Sequence, residues 1–267
     1  MGYTLSRISR LWSADKFGYP WREVFSEVLF AGQQVVCVVS EDGDPSVEAL
    51  KRWAQVEPNL VVLPFEPVTD AYQQRDMVNA AVDASSGEFI HLLDSDELVE
   101  MDCLMPWLAQ AKDELLASPL AVTFRRWDFT YNARFITDQC VPDTQMVSPD
   151  LIAREWYPSE FWVSGGAGHF ENAHEHKRRL CPCINWHYTG LLSEHGQAKK
   201  QLGTRELHRN YAPAGAAFPP PSLVATSPWD RFFESVQPPA RPLSCSHPKI
   251  MWPWLSRAEM FWRPREP

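Results

Sequence analysis

His91-Leu92-Leu93-Asp94-Ser95-Asp96-Glu97 is an apolar run that ends in three carboxylates. The segment Phe89-Ile90-His91-Leu92-Leu93 predicts a buried strand. Successive side chains of an extended chain alternate between faces, so Asp94 and Asp96 are expected on one side just past that strand. Like charges within about 4–6 Å resist joint ionisation, and a hard divalent cation relieves them, because carboxylate oxygens suit magnesium, manganese or calcium. The strand end therefore reads as a metal site. The competing reading is that Asp94 or Ser95 caps a following helix while the other carboxylates face water.

The preceding residues give that strand its company. Tyr3 to Ile8 suits a short strand, and Trp21, Val24, Phe25, Val28 and Leu29 recur at helical spacing. Gln34 to Val39 reads as a buried parallel strand, followed by the polar turn Ser40-Glu41-Asp42-Gly43-Asp44-Pro45-Ser46 and a helix marked by Val47, Leu50 and Ala54. Leu60 to Leu63 is the next strand. Asp70 is a candidate cap for a helix with Met77, Ala80, Ala81 and Ala84 on one stripe, which Ser85-Ser86-Gly87 ends. Strands alternating with helices in this way imply right-handed crossovers and an α/β fold, with a mostly parallel central sheet covered by helices on both faces. Ligands of such sheets bind beyond the carboxyl ends of the strands, which brings together Glu41, Asp42, Asp44, Asp94, Ser95 and Asp96.

Beyond Glu97, Leu104, Trp107, Leu108, Ala111 and Leu115 predict a helix, and Leu120 to Trp127 a strand. Residues 130–164 are rich in aromatic side chains, and 165–196 in histidine. His174, His176, Cys181 and Cys183 supply four suitable zinc ligands, although their spacing is not the common one for zinc.

Asp94-Ser95-Asp96-Glu97 after an apolar strand, with Gln74 to Ala81 and Ser86 to Ile90 before it, resembles the nucleotide-sugar half of family 2 glycosyltransferases with their Asp-x-Asp motif. The resemblance spans residues 3–190 and is closest over 22–98. It implies a GT-A fold and a nucleotide-sugar donor. Asp96 would bind manganese or magnesium, with Asp94 on metal or ribose and Ser95 beside the donor. Glu41 or Asp42 would meet the base or ribose, and Arg75 and Asn79 the phosphates or ribose. By the same likeness, His187 within Trp186-His187-Tyr188 is a further metal ligand, and Glu175 within His174-Glu175 is the general base. Asp150 and Asp143 are the alternative bases. The likeness also implies inversion at the anomeric carbon.

Two departures stand out. The first strand ends in Ser9-Arg10-Leu11-Trp12 where the family commonly has Asn-Glu. A glycine-rich nucleotide loop is absent, which argues against dinucleotide oxidoreductases and NTPases and lowers a nucleotidyltransferase. A non-catalytic nucleotide-sugar- or zinc-binding protein is the alternative of another class.

A chain of 267 residues, 45% hydrophobic, can bury a substantial core. The organisation expected is a catalytic domain over residues 1–200, with a donor half (1–98) and an acceptor half (99–200). Residues 201–267, rich in proline and tryptophan, form an irregular extension packed on it. No apolar run is long enough to span a membrane and no signal-peptide pattern opens the chain. Six scattered cysteines suggest free thiols in a reducing, cytoplasmic setting. The formal net charge of -9 divides unevenly, -16 over residues 1–175 and +7 over 176–267. The basic part, with Lys177-Arg178-Arg179, Lys199-Lys200, Arg205 and Arg209, suits an anionic acceptor. A hydroxymethylated base in DNA is one such acceptor; an envelope glycan or a lipid-linked phosphate is the other.

Overall fold

The computed structural model describes residues 3–66, 71–117, 121–129, 133, 135–138, 143–147, 178–188, 191 and 241–258. Four parallel strands form one half of the sheet: β1 (Tyr3–Leu11), β2 (Gln34–Ser40), β3 (Leu60–Phe65) and β4 (Gly87–Leu92), in the order β3-β2-β1-β4. Helices α1 (Ala14–Phe17), α2 (Trp21–Phe30), α3 (Pro45–Ala54) and α4 (Ala71–Ala84) make the connections. The α/β architecture expected from the strand–helix rhythm is therefore present. β1 runs three residues past its expected end, because Ser9, Arg10 and Leu11 continue its pairing with Cys37, Val38 and Val39.

Helices cover both faces. On one side Trp21, Val24, Phe25 and Val28 of α2, with Leu50 of α3, pack on Leu5, Val35, Cys37, Val39 and Phe89. On the other, Met77, Val78, Ala81 and Val82 of α4 pack on Ile8, Val36, Val38 and Ile90. This division follows from strand alternation, odd and even residues of β2 serving opposite layers. Gly87 opens β4 rather than ending α4. A Cβ there would lie 2.4 Å from the Ser6 backbone nitrogen, so the close approach of β1 and β4 at this end needs glycine.

Past β4 the sheet changes direction. A short β5 (Glu97–Val99) leads into α5 (Met101–Ala117), whose Met101, Leu104, Leu108, Ala111 and Leu115 are buried. β6 (Ala121–Phe129), β7 (Phe135–Asp138) and β8 (Asp143–Val147) follow, with β8 antiparallel to both β4 and β6. β8 thereby joins the parallel half to the rest of the sheet, and β9 (Arg178–His187) adds a second link, parallel to β6 and antiparallel to β5. β10 (Arg241–Pro242) pairs with β7, and α6 (Trp252–Ala258) returns to α2. There Met251, Trp254 and Leu255 enter the main core, the Trp254 indole donates to the Gly18 carbonyl at 3.0 Å, and Arg257 meets Glu23 at 2.8 Å. Among the described residues no helix is long and apolar enough to cross a membrane.

The cysteines correct one expectation. Cys103, on the first turn of α5, is bonded to Cys183 of β9. Cys37, Cys181 and Cys245 are free. The pairing arises because α5 begins directly after β5, which lies against β9, so residues distant in sequence meet. It removes Cys183 from the zinc quartet, and it removes the ground on which a reducing compartment was expected.

Candidate functional site

The site grows from β1. Arg7 is fully buried there, in a strand that also buries Leu5, Ile8 and Leu11 together with Ser6 and Ser9. Its Nη2 donates to the carbonyl oxygens of Asp94 (2.7 Å) and Glu97 (2.8 Å). Burial lowers the guanidinium pKa to about 10, with Glu97 and Asp94 opposing the fall, so it stays charged at neutral pH. Ser9, two residues on, donates to the Leu93 carbonyl at 2.5 Å. β1 thus holds by side chains the segment that β4 presents.

That segment is a turn, not an extended continuation of β4. The Glu97 N–H reaches the Asp94 carbonyl at 3.2 Å, and the Asp94 N–H donates to Glu97 Oε2 at 3.0 Å. The turn separates the two aspartates that alternation placed side by side. The Asp94 side chain is 53% exposed and paired with Arg10 at 2.9 Å, whereas Asp96 is 2% exposed. Ser95 is buried between them. The helix-cap reading fails here, because β5 and not a helix follows the turn.

Asp96 turns toward β9. Its carboxylate Oδ2 stands 3.8 Å from His187 Nε2, and its carbonyl accepts the Tyr188 N–H at 2.9 Å. His187 Nδ1 is hydrogen-bonded to Asp128 Oδ1 on the neighbouring β6. Arg126, two residues before Asp128 on that strand, lies 3.2 Å from Asp128 and 3.9 Å from Glu97. Asn185 donates to Glu97 Oε1 at 3.1 Å. The sheet register produces this row: Asp128 faces His187, and His187 faces Glu97.

The electrostatics follow from the pairing. Burial pulls the His187 imidazole down, but the Asp128 hydrogen bond and the charges of Asp128 and Asp96 outweigh it and hold the pKa above the ordinary value. Burial pushes Asp128 up, and His187 and Arg126 hold it below the usual carboxylate range. Glu97 is raised, first by burial and then by Asp94 and Asp96, against His187 and Arg126.

The sequence-expected residues separate into three groups. Asp94, Ser95, Asp96 and His187 come together as described. Glu41, Asp42 and Asp44 follow β2 and make local contacts with neighbouring residues. Asp42 accepts from the Ser13 N–H and hydroxyl, Asp44 caps α3 through the Ser46 N–H at 3.0 Å, and Glu41 meets Lys51 at 2.7 Å. Asn79 is half-buried on α4. Glu175, Asp150, His174 and His176, with the side chains of Arg75 and Asp143, lie outside the described residues. Arg7, Arg126, Asp128 and Asn185 escaped the sequence reading. The available signal was the alternation Arg126-x-Asp128, which a strand carried two residues further would have exposed.

Among the described residues no three His, Cys, Asp or Glu side chains gather closely enough to cage a metal ion. The donors present are nevertheless of the kind that nucleotide-linked magnesium and manganese use, one or two protein ligands with phosphate oxygens and water completing the shell. The Asp96–His187 pair, with the second imidazole nitrogen held by a carboxylate, fits such an ion.

No protein family and no curated protein matches the sequence. Among solved structures, the chain is similar to S. aureus TarS residues 1–349, at 16% identity over 69% of this chain and 60% of that one, with a TM-score of 0.46. It is similar to the same protein in complex with UDP at 15% identity, over 66% of this chain and 60% of that one (TM-score 0.42). For the complex with UDP-GlcNAc the values are 21%, 46% and 35%, with a TM-score of 0.36. The chain therefore spans less than two thirds of the TarS chains it matches.

Proposed function

We propose that this chain is a metal-dependent glycosyltransferase of the GT-A type, moving a sugar from a nucleotide-sugar donor to an acceptor hydroxyl with inversion. The observation that supports it most is the turn Asp94–Glu97, anchored by Arg7 at the carboxyl end of a central parallel strand, with Asp96 facing His187. Parallel α/β sheets bind ligands at that end.

Manganese or magnesium would be held by Asp96 and His187 and would supply positive charge for the departing diphosphate, with Asp94, on the exposed side of the turn, left for the donor ribose. The chain's own residues do the rest. Arg7 fixes the turn so that no reorganisation is needed when the donor arrives. Arg10, now on Asp94, is a cation at the mouth of the site available to a phosphate. A carboxylate of the acceptor half, Glu175 or Asp150, takes the acceptor proton, a role that general bases fill within hydrogen-bond reach of the hydroxyl.

The charge asymmetry favours an anionic acceptor, a hydroxymethylated base in DNA ahead of an anionic glycan. The test of the whole reading is a thermal-shift panel of nucleoside diphosphates and nucleotide sugars, UDP and UDP-GlcNAc included, with and without manganese. A ligand at about 100 times its dissociation constant adds about 2.7 kcal/mol to native stability. A donor that stabilises only with the metal, and is then hydrolysed or transferred, is the expected result. Equal shifts with and without chelator, or no shift from any nucleotide, overturn it. Salt-sensitive DNA binding distinguishes the two acceptors.

A further inference from the structure

His187 and Asp128 sit on adjacent strands in direct register, and the imidazole Nδ1 meets a carboxylate oxygen. An ionised carboxylate only accepts, so the proton of this hydrogen bond belongs to Nδ1. In the neutral imidazole, the form that can ligate a cation, that leaves Nε2 as the nitrogen carrying the lone pair, and Nε2 is the atom turned toward Asp96 Oδ2, 3.8 Å away. Arg126 fixes the carboxylate in turn, its Nε 3.2 Å from Asp128 Oδ1 and 3.4 Å from Oδ2. The ring plane is therefore set by Asp128, with Arg126 behind it.

We propose that Asp128 is a positioning residue for a divalent cation: it selects the His187 tautomer and rotation that turn the Nε2 lone pair toward Asp96, and Arg126 holds Asp128 in place. This rests on the cation reading of Asp96 and His187 given above. A carboxylate behind a ligating imidazole raises the basicity of the ligand and fixes its orientation, and losing it typically costs about 10–100-fold in metal affinity.

Two readouts on the full chain test it. The first is the tautomer of His187 in metal-free protein, at a pH high enough that the imidazole is neutral, from long-range proton–nitrogen spectra of histidine-labelled chain, with His187→Gln assigning the signals. The second is manganese affinity by electron paramagnetic resonance, with Mn2+ alone and with excess UDP. In the wild type the Nδ1–H form is expected. In Asp128→Ala the Nε2–H form should become prominent and manganese affinity fall about 10–100-fold. Asp128→Glu should recover part of both. Should Asp128→Ala fail to fold by circular dichroism, Asp128→Asn replaces it; its amide oxygen still accepts from Nδ1–H, so the tautomer stays and affinity falls less. Wild-type tautomer and affinity in Asp128→Ala, or wild-type affinity in Asp128→Asn where that variant is the one read, overturn the proposal while leaving the cation reading intact. A wild type that binds no manganese in either condition removes the cation reading, and this inference with it.

Discussion

Asp96 and Arg7 are two buried charges a few residues' width apart, and they have different expected phenotypes. Asp96 is buried at the end of a turn whose backbone is held by others, so Asp96→Ala should leave the melting temperature within a few degrees of wild type. Transfer and the manganese-dependent shift should both vanish; a fully active variant, or one that keeps the shift, would remove Asp96 from the site. Arg7 is the opposite case. Replacing it by methionine leaves the Asp94 and Glu97 carbonyls without their donor and removes a cation from the face of the Phe25 ring, 5.8 Å away. Leaving buried partners of a charged donor unsatisfied should cost about 2–4 kcal/mol in urea unfolding, with activity lost alongside stability. Neither the role of Arg7 nor the partner of Asp128 was legible beforehand. Ser6-Arg7-Ile8-Ser9 shows a polar residue in a strand without saying that the strand is central. The Asp128–His187 contact depends on the register of β6 against β9, which no local pattern encodes.

At the scale of elements, the caps and crossings were easier to read than the pairings. α2 and α5 announced themselves through apolar spacing, and the residues on those stripes are the buried ones apart from Trp107, which is only partly covered. The polar turn after β2 was legible as the entrance to α3. Its Asp44 receives the N–H groups of Asp15 and Lys16 as well as that of Ser46, joining α1 to α3. Asp44→Ala should cost about 1–2 kcal/mol by chemical denaturation. Burial alone would raise the Asp44 carboxyl, but the Ser46 hydroxyl and these N–H groups outweigh it and hold the pKa below its usual value. A carboxyl lowered in the folded state binds its proton more readily once unfolded, so its stabilisation is present above the ordinary pKa and is lost as pH falls through the folded-state value. The gap between wild type and Asp44→Ala should accordingly narrow on acidification; a gap that widens would contradict the cap. Gly87 was misread: as a residue after a helix it suggests a C-terminal cap, whereas the demand on it comes from a neighbouring strand 81 positions away, at Ser6.

For the molecule as a whole, the parallel half was legible because each of its strands and helices carries its own periodicity. The reversal beyond β4 was not, since β8 joins β4 antiparallel through a brief pairing and β9 reaches back to β5 from far downstream, His187 pairing with Glu97. The bond between Cys103 and Cys183 spans 80 residues. Removing a native disulfide typically costs about 2–5 kcal/mol, so Cys103→Ser should lower the unfolding free energy from urea titration by that measure, and reductant should do the same to the wild type only. The bond also makes the stretch between residues 103 and 183 a closed covalent ring. A protease that cuts the backbone once anywhere inside that ring yields two polypeptides still joined through sulfur. On a gel without reductant the nicked protein should migrate as one species, and with reductant as two. The half carrying Asp96 and the half carrying His187 would then remain tethered after the chain between them is severed.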